Sequence, residues 1–80
     1  MEISEKPTYV LDCAGLNCPE LVRKTAEELS RIAIDEILEM VTDDKTAELE
    51  IREWASKTGQ EILSIDKAGV YIKFLIKRKQ

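Results

Sequence analysis

Stretches of period two and period 3.6 alternate along the chain, and the alternation predicts its architecture. Residues 8–13 read as a first strand, with Tyr9 and Leu11 on one face and Val10 on the other. Over residues 19–33, Val22, Ala26, Leu29 and Ala33 recur at helical spacing, and Leu21 and Ile32 widen the stripe. Arg23, Lys24, Glu27, Glu28 and Arg31 lie opposite, so this segment is predicted to be an amphipathic helix. Residues 37–42 are largely apolar and suit a central strand covered by helices on one face. Asp43 and Asp44 then offer capping carboxylates, and Ala47, Ile51, Trp54, Ala55 and Thr58 repeat at helical spacing until Gly59 ends the second helix.

Residues 61–66 give a third strand and Lys67, Ala68 and Gly69 a tight turn. In residues 70–77, Val70, Ile72, Phe74 and Ile76 alternate with Tyr71, Lys73, Leu75 and Lys77, the cleanest alternation in the chain. The predicted order is βαβαββ, an α/β (α+β) two-layer sandwich: a mixed four-stranded sheet with two crossover helices on one face. Residues 1–7 are read as a loose N-terminal segment and residues 8–80 as a single domain.

Eighty residues lie near the lower end of what buries a self-sufficient core, which excludes a deep catalytic pocket and puts any chemistry near the surface. A charged fraction of 35% beside 44% hydrophobic residues describes a soluble globular chain rather than a disordered one. No continuous apolar run is long enough to span a membrane, and the first residues lack the order of a signal peptide, so the expected location is cytoplasmic. The net charge of -4 gives no general attraction for phosphate, so direct nucleic-acid binding is not expected. Positive charge is nevertheless gathered at Lys73, Lys77, Arg78 and Lys79, which suits either a docking patch or an edge strand protected by lysines.

Two cysteines without any histidine exclude Cys-His and Ser-His pairs. The C-x4-C spacing of Cys13 and Cys18 is looser than a metal knuckle, and a tetrahedral site would need a second chain or carboxylates; neither metal nor cofactor is assigned. Pro19 favours the first helical position, which puts Cys18 at the N-cap, facing unpaired backbone N–H groups and the positive end of the helix dipole. Both favour a thiolate, and would equally stabilise a persulfide anion. Taken alone, a Cys-Pro dipeptide fits a reactive thiol or a small buried hydrophobe. Cys13 ends a strand among apolar neighbours and reads as closing the core. Asp43 and Asp44 read as helix caps rather than an acid–base pair, Trp54 and Phe74 as core rather than a stacking platform, and Leu49 as exposed.

Asp12, Gly15, Leu16, Cys18 and Pro19 match in type and spacing the hallmark of the TusA/SirA/YedF family, a strand ending in Asp, a Gly-Leu turn, and Cys-Pro-x-Pro at the start of the first helix. Leu38, the Asp43-Asp44 pair and the Ile51, Trp54 and Gly59 spacing resemble the same family's second strand, acidic turn and second helix, so the resemblance covers residues 9–77. It implies a fold similar to the C-terminal domain of bacterial translation initiation factor three. It also implies a sulfur carrier, not a turnover enzyme, in which Cys18 accepts a persulfide sulfur from a cysteine desulfurase or rhodanese-like donor and passes it to an acceptor protein. Acceptors in the family serve tRNA thiolation, sulfur oxidation or molybdenum cofactor assembly. Cys18 inherits the acceptor role, supported by Pro19, Gly15 and Asp12, and the expected state is a monomer or weak dimer.

Three positions depart from the family pattern: the second motif proline is Leu21, the glycine before the second strand is replaced near Asp35, and the proline after the acidic pair is Lys45. Cys13 is not a fixed family position and adds a disulfide or a thiol relay with Cys18, the stable disulfide being disfavoured in a reducing compartment. Two rival readings follow: a non-carrying regulatory module with the same fold, and a Cys13/Cys18 dithiol redox protein.

Overall fold

The computed structural model describes residues 9–17 and 20–80. Cys18, Pro19 and the segment 1–7 therefore lie outside the described residues. The elements run β1 (Tyr9–Asp12), α1 (Glu20–Leu29), β2 (Ile37–Thr42), α2 (Ala47–Thr58), β3 (Glu61–Ala68) and β4 (Tyr71–Lys77). They form one four-stranded mixed sheet in the order β1-β2-β4-β3, with β1 parallel to β2 and β4 antiparallel to both its neighbours. Two helices on one face of this sheet complete the predicted α+β sandwich, α2 packing against β3 and against α1.

The period-two pattern of the two middle strands builds the core. Across β2 and β4 the pairs Leu38 and Ile76, Met40 and Phe74, and Thr42 and Ile72 stand opposite one another, every one of them buried. Leu21 and Leu29 of α1 and Ala47 and Ile51 of α2 close over this face. Phe74 is wholly buried, and truncating such a side chain to alanine costs about 3–5 kcal/mol. Trp54 packs at the margin of the same cluster and Leu49 is exposed, as the helical spacing predicts.

Several local expectations change. In β1, Leu11 is buried but Tyr9, expected on the same face, is exposed at the start of the strand. Helix α1 stops at Leu29, four residues before the predicted end at Ala33. Three-residue spacings, Arg31 N–H to Glu28 C=O (3.0 Å) and Ile32 N–H to Leu29 C=O (3.3 Å), tighten the chain there. Asp35 then adopts a left-handed φ of 72°, so the apolar stripe outlasts the helix: Ile32 is buried while Ala33 is exposed. Glu28, predicted on the solvent face, is only 5% exposed because it follows the fully buried Leu21 and Thr25 by seven and three positions. Its Oε1 has no hydrogen-bond partner among the described residues, and Oε2 lies 3.9 Å from Lys24 Nζ and 3.8 Å from Arg31 Nη1.

The terminal hairpin is tighter than predicted. β3 continues through Lys67 and Ala68, and the loop is Gly69-Val70, with Ala68 opposite Tyr71. Gly69 has φ 64° and Val70 does not, the glycine-first type II′ pattern that matches strand twist, and Val70 leaves the strand face for solvent. The basic C-terminal stretch also changes meaning. β4 is a central strand, so its lysines do not guard an edge. Arg78 Nη1 instead donates to the carbonyls of Ser30 (3.3 Å) and Ile32 (2.5 Å), and Lys79 Nζ lies 3.8 Å from both Asp35 and Glu61. Among the described residues no helix is long and apolar enough to cross a membrane.

Candidate functional site

Where β1 leaves the sheet, Cys13 N–H donates to Val41 C=O at 2.7 Å, extending the parallel pairing by one residue. The chain then reverses: Leu16 N–H donates to Cys13 C=O at 3.1 Å, closing a four-residue turn over Ala14 and Gly15. Gly15 has φ 87° while Ala14 does not enter the left-handed region, which is the type II arrangement with glycine at its third position. Leu16 turns back onto the core, and Asn17 C=O accepts from Leu21 N–H at 2.8 Å, ahead of the first residue of α1.

Two carboxylates face this turn. Asp12 Oδ1 accepts from Ala14 N–H at 3.0 Å, a local Asx contact. Asp43 Oδ1 accepts from Gly15 N–H, also at 3.0 Å, from a position 28 residues away in the chain. That corrects the capping expectation. Thr46, not Asp43 or Asp44, is the N-cap of α2, and it makes no side-chain cap bond. Asp44 Oδ1 accepts from Thr46 N–H (2.9 Å) and Thr46 Oγ1 (2.8 Å), which organises the connection and delays the helix to Ala47.

Cys13 is a free thiol with no exposed surface. Burial pushes its pKa above the ordinary thiol value, a hydrogen bond with Thr25 opposes the rise, and the Asp12 carboxylate adds to it. Thr25 itself donates from Oγ1 to Leu21 C=O at 2.8 Å, inside the core. Of the residues singled out from the sequence, Asp12, Cys13 and Gly15 thus meet in one turn, Cys13 in the structural role read for it. Asp43 and Thr25 were not read as part of this region. Nothing in a helical or strand period marks a contact between two separate connections, although the acidic pair is one of the positions carrying the family resemblance. A shallow groove of about 360 Å³, lined by Val10, Asp12, Ala14, Val41 and Tyr71, opens beside the turn.

The fold is similar to that of the SirA-like protein from Desulfitobacterium hafniense, with a TM-score of 0.73 and 18% identity, over 91% of this chain and 100% of that one. Among sequences, YrkF of Bacillus subtilis (strain 168), provisionally named a sulfur carrier protein, is 32% identical over 91% of this chain. The chain spans only 40% of YrkF's length. A protein of Archaeoglobus fulgidus with the same provisional description is 36% identical over 84% of this chain and 88% of its own. The sulfur carrier protein TusA of Pseudomonas putida (strain W619) is 29% identical over 90% and 91% of the two chains. The profile of the family described as sulfurtransferase TusA matches residues 9–78, which take in both crossovers and the turn between Asp12 and Asn17, and the chain therefore belongs to the TusA family.

Proposed function

We propose that this chain is a sulfur carrier whose Cys18 takes a persulfide sulfur from a donor protein and hands it to an acceptor protein. The observation that supports the reading most directly is the family match across residues 9–78, within which Cys18 follows a turn held by Asp12 and Asp43. In the loading step the Cys18 thiolate attacks the outer sulfur of a donor persulfide. The S–S bond of the donor breaks, the donor leaves as a thiolate, and Cys18 becomes the persulfide. Delivery runs the same exchange in the other direction, so no oxidant, metal or cofactor enters the balance. The donor expected on this reading is a cysteine desulfurase or a rhodanese-like protein.

Two observations bear on the rival readings. Cys13 is buried and its pKa is pushed up by that burial, which disfavours a dithiol redox pair because the thiolate is the nucleophile. Leu21, where the motif's second proline is absent, is wholly buried, so the departure supplies a core anchor for α1. The loss of a proline there has a packing account and does not require loss of carrying. Intact mass after incubation with a persulfidated donor tests the proposal. One reductant-labile sulfur on the native chain and none on Cys18→Ser is the expected result; a folded Cys18→Ser that still loads, or a native chain that stays unmodified, would reject it.

A further inference from the structure

The geometry points to Asp43 as a positioning residue for the turn that precedes Cys18 in the chain, acting through its hydrogen bond to Gly15. The inference rests on the reading of Cys18 as the carrier thiol. The end of β2 grips the chain leaving β1 at two successive points, Val41 C=O on Cys13 N–H at 2.7 Å and Asp43 Oδ1 on Gly15 N–H at 3.0 Å. The first point is ordinary sheet pairing. The second reaches past the sheet, to a residue three positions before Cys18. Asp12 also bonds the turn, but it does so from two residues away and moves with the turn. Asp43 alone among these carboxylates ties the turn to a different connection, the one between β2 and α2, and so fixes its direction relative to the sheet.

Both Asp43 and Gly15 are exposed, so water can satisfy either group if the bond is lost. Its contribution to global stability is accordingly small. Its contribution to orientation is not replaced by water, because water bonds the freed N–H in any direction. A nucleophile displaced by a fraction of an ångström loses rate far more readily than the fold loses stability. Gly15 adds to the need for a clamp. A Cβ built on it would meet nothing within 4 Å, so between the buried Cys13 and the core-packed Leu16 the chain at Gly15 itself has no packing to hold it.

The test compares two neutral replacements, Asp43→Ala and Asp43→Asn, so that the lost charge is common to both and only the acceptor oxygen differs. In Asp43→Ala, sulfur loading onto Cys18 should slow about tenfold relative to Asp43→Asn, with a thermal midpoint within about 5 °C of it. Asp43→Asn should load within about twofold of the native chain. Alkylation of Cys18 against pH, in a Cys13→Ser background, gives a readout independent of sulfur: its midpoint should lie higher in Asp43→Ala than in Asp43→Asn. Equal loading and equal alkylation profiles for the two replacements would overturn the assignment. A native chain that does not load at all would instead overturn the carrier reading, and the alkylation profiles would still decide the role of Asp43.

Discussion

Cys13, directly after β1, and Thr25, in the middle of α1, are both fully buried in the core, and Thr25 turns its hydroxyl inward to Leu21 C=O. The Cys13 thiol is thus a packing element, five positions before the cysteine proposed to carry sulfur. Cys13→Ser should load sulfur as the native chain does and lose about 1–2 kcal/mol of stability, since a hydroxyl is costlier to bury than a thiol. The native chain's stability should also depend on pH through this thiol. Burial raises the folded pKa above that of the unfolded thiol, so the contribution is fully present below about pH 8.5 and is lost as pH rises further. Urea midpoints measured near neutrality and above about pH 9.5 should therefore fall less in Cys13→Ala than in the native chain. An identical fall in both would show that Cys13 ionises no differently when folded.

Gly15 is open to a side chain in space but not in backbone angle. With φ 87° and no atom within 4 Å of a built Cβ, the cost of substitution is conformational alone. Gly15→Val should cost about 1–2 kcal/mol and slow loading of Cys18, because relief of the strain moves the turn. Gly15→Asn, whose side chain tolerates the left-handed region, should sit between the native chain and valine in both measurements. Native loading by the valine variant would show that the turn does not position the thiol.

Asp35 holds the position near which the family resemblance expects glycine, and among the described residues it is the non-glycine one with a positive φ, at 72°. Its carboxylate lies 3.8 Å from Lys79 Nζ, an exposed pair of little energetic weight. Asp35→Gly is therefore expected to raise stability by about 0.5 kcal/mol, the relief of left-handed strain outweighing the added freedom of the unfolded chain. Chemical denaturation of the pair of proteins settles the sign; a clear loss would mean that the Lys79 contact outweighs the strain.

The sheet and its core were legible because long apolar periods survive the folding of their surroundings. The run of Ile72, Phe74 and Ile76 is readable without knowing its neighbours, and Ile37–Thr42 begins and ends where its pattern does. What periodicity misses is set by contacts between segments. Glu28 looks solvated on a helical projection because its neighbours Glu27 and Arg31 are, yet its helix is rolled so that it is buried. Asp43 reads as a cap because it precedes a helix, while its oxygen serves a turn in another connection. The placement of β4 between β2 and β3 also escaped the reading of its lysines, since a linear pattern does not say which strand lies at an edge. For the candidate site, Gly15 was legible from turn chemistry, Cys13 as the apolar end of a strand and Asp12 through the family resemblance, whereas Thr25, buried in the middle of α1, carries no signal of its own.

The final strand occupies the middle of the sheet, and this constrains how the protein can come to be folded. Before β4 is available, β3 has no strand beside it, and β2 has only the four-residue β1. A growing chain therefore cannot lay the sheet down strand by strand. The apolar face of β2 stays uncovered on that side until residues 71–77, already able to pair with β3 through their tight hairpin, reach it. The pairing of β4 with β2 that joins the hairpin to the first half of the sheet is also the contact that sets Phe74 opposite Met40 in the core.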